Sequence, residues 1–375
     1  MSEYQYYEFQ AIDRPLDAAD RQALRALSTR AQITATSFTN RYEWGDFKGD
    51  PRKLMERWFD LHLYLANWGT RRLMMRMPAR LLARSKLDAF LREIDWVKVW
   101  TSGDNLIVDA CRDEIEPDYD DWDDGPGWLA ALAPLRADVL SADLRLFYLL
   151  WLTAVEEGAL PEDDAEPLPG IGPLSGALKT FADFFGIDPD LVEAAAERAV
   201  GDTVPSTEAA RGVLAAIPER GKTALLLRLV EGDPHVAAEL RGRIRDRSDA
   251  APAAYRTVGE LRKRAEEIAE ARERAVAERH AAEQRRQAKE AENARRARLD
   301  AVKRRGDSVW REIEREIERR NASGYDRAVG LLADLNEIAE AEGMLADYAR
   351  RLAAIRERHA RKGRFIERLS RMAQD

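Results

Sequence analysis

The first 115 residues alternate between short apolar stretches and polar ones, which predicts several strands and helices of modest length. The aromatic-rich stretch 4–12 and the β-branched stretch 33–39 alternate between apolar and polar side chains, as half-buried strands do. A further strand is predicted at 71–77 and a hairpin at 97–110. We therefore expect a small α+β domain over residues 1–115.

One helix in this domain has a strong start signal. Asp50 is a favoured capping residue, and Pro51 suits the first helical position because its missing N–H would be unpaired there in any case. Apolar residues then recur at nearly helical spacing, namely Leu54, Trp58, Leu61 and Leu65. This pattern predicts one helix from Pro51 to about residue 66.

Beyond residue 115 the chain shows almost only helical periodicity. Residues 116–127 are rich in aspartate and glutamate and end in Gly-Pro-Gly, which is typical of an acidic, solvated linker. From 128 to 253, segments of helix length are separated by glycine and proline, and an Asp-Pro start signal recurs at 188–189, so a helical domain is expected. Residues 306–375 predict a C-terminal helical hairpin.

Residues 254–305 form one long, charged segment of strong helix formers, almost entirely Ala, Glu, Arg, Lys and Gln. A helix of this length would reach roughly 75 Å at 1.5 Å per residue. A seam of bulky side chains lasts for about two heptads and then continues only as alanines, which bury little area. A single helix, a hairpin against the C-terminal helices and a coiled-coil dimer therefore all remain open.

These patterns together predict the fold class. We expect an α+β N-terminal domain followed by a mostly α chain, with a helical middle domain and a long C-terminal helical or coiled-coil arm.

Charge is distributed unevenly along the chain. The 60 basic and 68 acidic residues give a net charge of −8, yet the part from residue 254 onward is slightly positive. An acidic body and a mildly basic arm could attract each other, or the arm could attract an acidic partner.

The composition also indicates a compartment. The single cysteine, Cys111, excludes an internal disulfide and a cysteine-based zinc site, and fits a reducing environment. The N-terminus lacks the basic and apolar segments of a signal peptide, and the longest nearly apolar run, 146–155, is about half of a membrane span. We expect a cytoplasmic protein that does not engage membranes.

Three groups of residues suggest a binding or metal site, but none has the residue spacing that such a site requires. The Gly-Lys-Thr triplet at 221–223 would need a glycine where Ala216 stands, and a preceding strand where a helix is predicted. The acidic cluster before Gly125 places Ala131 where a calcium loop has glutamate. The four histidines are too scattered for a metal site. We therefore expect a helix-turn-helix around the triplet, and no catalytic, cofactor-binding or metal residues.

The densest basic run lies in the second half of the long helix. Alanines separate its basic residues, and few aromatic side chains accompany them. The run could therefore bind the phosphate backbone of a nucleic acid without sequence specificity. Interspersed carboxylates weaken its positive potential. The candidate residues for contact with a partner or with nucleic acid are Arg285, Arg286, Lys289, Arg295, Arg296, Arg298, Lys303, Arg304 and Arg305.

Two phrases in the middle third resemble stretches of uncharacterised bacterial proteins. They are Gly186-Ile-Asp-Pro-Asp-Leu-Val-Glu-Ala-Ala-Ala and Leu225-Leu-Leu-Arg-Leu-Val-Glu-Gly-Asp-Pro-His235. The resemblance implies a bacterial source and brings no assigned activity.

These observations favour a non-enzymatic interaction or scaffold protein, part of a bacterial multi-protein assembly, whose arm over residues 255–305 binds a protein partner or a second copy. The alternative is a nucleic-acid-associated protein that uses the arginine-rich arm without sequence specificity. A third hypothesis is an enzyme with a site in the N-terminal domain, around Trp44, Asp46, Trp68 and Arg72, although no spacing singles these residues out.

Overall fold

The computed structural model of the protein describes residues 3–115, 125–199, 207–246 and 254–372. The chain divides into two compact units: unit 1, Met1–Arg272, and unit 2, Glu273–Asp375. Residues 116–124 of the acidic linker expected at 116–127 lie outside the described residues, and the domain limits drawn from the sequence stay a prediction.

Unit 1 is built on an antiparallel sheet, to which its described residues contribute seven strands. The strands are β1 (Gln5–Gln10), β2 (Gln32–Ile33), β3 (Ser37–Tyr42), β4 (Leu61–Ala66), β5 (Arg71–Pro78), β6 (Val97–Ser102) and β7 (Asn105–Arg112). Their order across the sheet is β2-β3-β1-β4-β5-β7-β6, so β1 and β4 lie away from both edges.

Helices cover both faces of this sheet. On one face, two helices pack on Phe9 and Met74; on the other face, a larger helical layer packs on Leu63 and Leu65. In chain order these helices are α1 (Ala18–Leu27) and α2 (Pro51–Arg57), then α3 (Trp128–Leu132), α4 (Pro134–Leu140), α5 (Arg145–Glu156), α6 (Gly176–Phe184) and α7 (Pro189–Ala196). The sheet followed by a mostly helical chain confirms the predicted α+β layout.

The stretch 51–66 was predicted as one helix, and that prediction is wrong. α2 ends at Arg57, and β4 follows it in the interior of the sheet. Both faces of β4 are buried: Leu63 packs on one side, while His62 stacks on Phe9 on the other at 3.9 Å between ring centroids. A strand buried on both faces reads as a continuous apolar run, which helical spacing also matches in part.

A small group of helices follows the helical layer of unit 1. It consists of α8 (Thr207–Ala216), α9 (Glu219–Val230) and α10 (Val236–Asp246). Ile217, Leu225 and Val236 form its apolar centre. Arg80 donates to Asp233 at 2.8 Å, an ion pair that joins the group to the sheet domain.

The long helix predicted from composition is α11 (Val258–Arg305), with 48 residues. Its early apolar residues Val258, Leu261, Ala265 and Ile268 are buried and pack into the core of unit 1. The bulky part of the predicted seam is therefore covered within the chain itself.

In the described part of unit 2, the end of α11 meets four further helices. They are α12 (Asp307–Glu318), α13 (Ala322–Glu342), α14 (Leu345–Arg358) and α15 (Gly363–Met372). α11 ends where Gly306 takes a φ of +52°, a conformation that glycine adopts without steric cost. Val302, Ile313 and Leu332 are buried in a core separate from that of unit 1. Within the described ranges, no helix is long and apolar enough to cross a membrane.

Candidate interaction surfaces on α11 and α9

The start of α11 is fixed to unit 1 by a buried ion pair. Glu166 is 2% exposed and Arg256 is 7% exposed, and the Nη2 of Arg256 donates to Oε2 of Glu166 at 2.9 Å. The Tyr148 hydroxyl donates to the same carboxylate at 2.6 Å, and Arg256 Nη1 donates to the Ala194 carbonyl at 2.6 Å. Because burying two charges is costly unless both are fully hydrogen-bonded, this arrangement tolerates little movement. The first turns of α11 therefore have a defined orientation on unit 1.

Beyond this anchor α11 is exposed to solvent. Between residues 271 and 298, Ala281 and Glu283 are half-buried and every other residue is exposed. A helix that is polar all round depends on intrinsic propensity and on charge pairs three or four residues apart. Arg286 supplies two such pairs, with Glu283 at 2.9 Å and with Glu290 at 3.8 Å. This stretch of α11 offers nearly its whole surface to a partner.

Five of the nine basic candidates on α11 already face carboxylates. The pairs are Arg286–Glu283, Arg295–Glu337, Arg298–Asp334, Lys303–Glu342 and Arg305–Glu312. Asp334 is buried and lies 2.5 Å from Arg298, Glu337 lies 2.7 Å from Arg295, and Glu342 faces Lys303, so α13 supplies the counter-charges for three of them. These five cations are at least partly neutralised: Arg286 pairs within α11, and the other four pair with carboxylates of α12 or α13.

The other four candidates, Arg285, Lys289, Arg296 and Arg304, have no carboxylate partner among the residues that the structure describes. At 100° per residue, Arg285, Lys289 and Arg296 fall within an arc of about 40° on α11. We call these three residues the α11 cation row. Glu292 lies on the same side of the helix and lowers the net charge of that side. The row is therefore a modest positive surface whose three side chains have no carboxylate partner in the part of the chain that the structure describes.

The Gly-Lys-Thr triplet at 221–223 lies inside α9, which confirms the predicted helix-turn-helix around it. The amides of Gly221 and Lys222 both donate to the Pro218 carbonyl, at 2.8 and 3.0 Å. Lys222 also pairs with Glu219 at 2.7 Å. A phosphate-binding loop needs free amides, and here they are engaged in the first turn of a helix.

α9 carries an apolar surface that sequence reasoning missed. Leu226, Leu227 and Leu229 are 56–62% exposed and Val230 is 85% exposed, whereas Leu225 faces the centre of the group. Large apolar side chains that lie exposed side by side mark interaction sites more often than single ones do. The signal was present in the run from 225 to 230, because apolar residues at nearly consecutive positions surround more of a helix than one small core can cover.

Two of the residues considered for an enzyme site, Asp46 and Arg72, take part in two separate groups of hydrogen bonds, one around Gln5 and one around Asp109. Gln5 Nε2 donates to Asp46 Oδ1 at 3.1 Å, and the Tyr7 hydroxyl donates to Gln5 Oε1 at 2.8 Å. Arg72 donates twice to Asp109, at 2.7 and 2.8 Å. Burial raises the pKa of Tyr7 to about 12, so its hydroxyl stays protonated and can donate. Asp46 is exposed and Arg72 is half-buried, and each is held by a different partner.

The other two residues of that hypothesis, Trp44 and Trp68, lie outside both groups. They are 80% and 48% exposed. Trp44 lies two positions after Tyr42, and Trp68 lies two positions after Ala66. Tyr42 and Ala66 both pair with Gln5, so the two tryptophans lie at the same end of the sheet. The structure thus places Asp46 and Arg72 in different hydrogen-bond groups and leaves both tryptophans exposed.

Two further titratable residues raised by the sequence differ in burial: His62 is buried and Cys111 is half-buried. Burial lowers the pKa of His62 to about 3, and its Nδ1–H donates to the Glu8 carbonyl at 3.0 Å. Burial raises the pKa of the Cys111 thiol. Over the described ranges, no group of three or more His, Cys, Asp or Glu side chains is arranged to hold a metal ion.

Comparison with known proteins returned no relative: no protein-family model, no curated protein and no solved structure matches this chain. The resemblance of two phrases to bacterial proteins therefore stays a prediction. Function has to be argued from the surfaces themselves.

Proposed function

We propose that this protein is a non-enzymatic interaction protein, part of a multi-protein assembly, that binds an acidic protein partner along the exposed stretch of α11. The observation that supports this most is the α11 cation row, Arg285, Lys289 and Arg296. Arg286, Arg295 and Arg298 on the same helix are paired with carboxylates, whereas no member of the row has a carboxylate partner among the described residues. Its charges are therefore available to bind another molecule.

The spacing of the row favours an acidic helix or an extended acidic segment as the partner. Its outer members are 11 residues apart, which is about 16 Å along a helix at 1.5 Å per residue. Carboxylates on one side of a partner helix recur at comparable distances. Complementary charges of this kind contribute mainly to association rate and specificity, so we expect binding that weakens with salt.

Charge reversal of the row tests this proposal in the full chain. Glutamate has nearly the helix propensity of arginine and lysine, so the triple variant Arg285→Glu, Lys289→Glu, Arg296→Glu should keep α11 helical. A matched control reverses Arg356, Arg361 and Arg364 in unit 2, which are exposed and make no ion pair with the described residues.

Partners captured by each chain would be quantified by mass spectrometry. We expect a protein with an acidic segment to be captured by the wild type and by the unit 2 control, and to be lost from the row variant. Equal capture by all three chains would refute a role for the row.

A second candidate function is non-specific binding of nucleic acid, which Arg304 favours because it adds a fourth unpaired cation near the row. Each cation neutralises at most one phosphate, so the log–log salt slope on a duplex should be no steeper than about −4. Titration of labelled single-stranded and duplex DNA at rising salt measures this slope. No binding at low salt would remove this candidate, and a much steeper slope would show that other cations of the chain take part.

A further inference from the structure

The two edges of the sheet in unit 1 differ in length. β2 forms one edge and has only 2 residues, whereas β6 forms the other edge and has 6, Val97–Ser102. Very short strands, prolines and lysines commonly protect a sheet edge from pairing with another chain. Of these, β6 has only a lysine, Lys98. β6 therefore offers the longer open edge of the sheet.

The hydrogen bonds between β6 and β7 determine which backbone groups of β6 point outward. The Cys111 amide donates to the Trp96 carbonyl at 3.0 Å, and in an antiparallel ladder every second residue bonds to the same neighbour. Even-numbered residues of β6 thus face β7, while the N–H and C=O groups of Val97, Val99 and Thr101 point away from it. Among the residues that the structure describes, these outward groups have no hydrogen-bond partner. Thr101 is exposed and both valines are half-buried, so the edge is accessible.

We propose that the outer edge of β6 pairs with the same edge of a second copy of this chain, with the two β6 strands antiparallel about a twofold axis at Val99. In this register Val99 lies opposite Val99 of the other copy, and Val97 lies opposite Thr101. Each outward N–H and C=O group then meets a partner group of the opposite kind. A twofold interface uses the same patch on both copies, as this pairing does. The two sheets become one continuous sheet.

The side chains of β6 favour this register over its neighbours. Lys98 and Trp100 lie on the same face, because side chains two positions apart share a face of a strand. With the axis at Val99, Lys98 of one copy lies opposite Trp100 of the other in a non-hydrogen-bonded pair, in which side chains come closest. An axis at Lys98 would place two lysines opposite each other, which is unfavourable. An axis at Trp100 would place Val97 opposite Gly103, beyond the end of β6.

The pairing of Lys98 with Trp100 is what favours a second copy over an unrelated strand. Lys98 is exposed and has no ion-pair partner in the described ranges. The Trp100 indole N–H donates to the exposed carboxylate of Glu56 at 3.0 Å, and Arg52 covers one side of the ring at 5.1 Å. Lys98 of the second copy would therefore contact the uncovered part of the ring and the Glu56 carboxylate. An unrelated strand could pair with the backbone of β6 without supplying these contacts.

The length of the edge sets the expected strength of association. Each copy contributes only residues 97–101, so the interface lies at or below the low end of those known for specific complexes. We therefore expect a reversible dimer whose fraction rises with protein concentration. Sedimentation velocity of the full chain across a wide concentration range would measure it.

Disulfide crosslinking tests the register directly. Val99→Cys, in a chain whose native thiol is removed by Cys111→Ser, places two thiols opposite each other across the axis. The Cα atoms of such a hydrogen-bonded pair are about 5.5 Å apart, which suits a disulfide. Thr101→Cys in the same background is the matched control, because its two thiols would lie roughly 14 Å apart along the strands. Under mild oxidation we expect a covalent dimer from position 99 and none from position 101, although position 101 is more exposed. Crosslinking from both positions would indicate parallel strands, and crosslinking from neither would indicate no pairing, so either result would overturn the proposal.

Substitutions at the edge test the contacts separately. Lys98→Glu places a carboxylate against Trp100 and Glu56 of the other copy and should weaken the dimer about tenfold or more, whereas Lys98→Arg should dimerise like the wild type. Thr101→Pro removes an outward N–H and should also weaken the dimer, while the fold is kept because proline is tolerated where the N–H of an edge strand faces solvent. Unchanged Tm values would confirm that each variant is folded.

The same measurements can refute the proposal. A wild type that stays monomeric at every concentration would overturn it, and so would a dimer that persists unchanged in Lys98→Glu or Thr101→Pro. The α11 row variant should dimerise normally, and Lys98→Glu should still capture the acidic partner. Failure of this inference is therefore distinguishable from failure of the proposed function.

Discussion

Replacing Glu166 by glutamine should release the start of α11 from unit 1, whereas the same change at Glu197 should have little effect. Glu166 is fully buried and accepts hydrogen bonds from the Arg256 side chain, from the Arg256 amide at 2.9 Å and from Tyr148. Glutamine has almost the same shape, but it carries no charge. Arg256 would then remain buried without a counter-ion.

The size of the effect follows from burial. Removing one partner of a buried ion pair costs roughly 3–5 kcal/mol, because the other charge stays desolvated. In a unit of this size 1 kcal/mol corresponds to roughly 2–4 °C in Tm, so Glu166→Gln should lower the Tm of unit 1 by about 10 °C. Glu197 also holds α11, through Arg264 at 2.6 Å, but its side chain is 40% exposed and water screens the pair. Its loss should shift Tm by a small fraction of that amount.

Differential scanning calorimetry of both variants measures the shift, and hydrogen exchange locates it. We expect faster amide exchange in peptides covering the first turns of α11 for Glu166→Gln and no change for Glu197→Gln. If both variants lost the same stability, the buried pair would not be what anchors α11, and the reasoning from burial would fail.

Two further predictions concern the cores of the units. Burial lowers the pKa of His62 to about 3, whereas the pKa of an unfolded histidine is near 6.5. Between these two pH values only the unfolded state binds the proton. The stability of the wild type therefore decreases as pH falls below 6.5. The variant His62→Phe lacks this proton uptake, so it should lose about 1.4 kcal/mol less stability than the wild type for each pH unit below 6.5. Urea unfolding at pH 7, 6 and 5 measures the free energy of unfolding of both proteins. A difference between them that stays constant over these three pH values would contradict the prediction. Ile313 is fully buried in unit 2, so Ile313→Ala should cost about 2–5 kcal/mol there. Exchange should accelerate in α12–α15 while peptides of β1–β7 stay unchanged, and an equal change in the sheet would argue that the two units unfold together.

Local signals in the sequence predicted where several helices begin. Asp50 accepts a hydrogen bond from the Arg52 amide at 2.9 Å, and Asp188 accepts one from the Asp190 amide at 2.7 Å, as the Asp-Pro pattern indicates. The end of α2 was not predictable in the same way. Nothing local distinguishes a helix from a strand at 61–66, because the strand is determined by its neighbours β1 and β5.

The functional surfaces show the same division between local and long-range information. Composition predicted a long helix and its basic residues, but not which of these are paired, because Glu337 and Asp334 lie about 40 residues away from Arg295 and Arg298 in the chain. The apolar run at 225–230 indicates more apolar surface on α9 than a small core can cover, but which of these side chains stay exposed depends on how many the group of α8, α9 and α10 buries. In both cases tertiary contacts decide which side chains remain available.

The central claim, that the α11 cation row contacts a protein partner, is tested most directly by site-specific photo-crosslinking. A photo-reactive amino acid would be placed at Lys289, within the row, or at Ala291, which is also exposed but lies on the opposite side of α11. We predict a discrete crosslinked protein from position 289 that is weak or missing from position 291 and that disappears when Arg285 and Arg296 are changed to glutamate. Equal crosslinking from both sides of the helix, or none from position 289, would contradict the account.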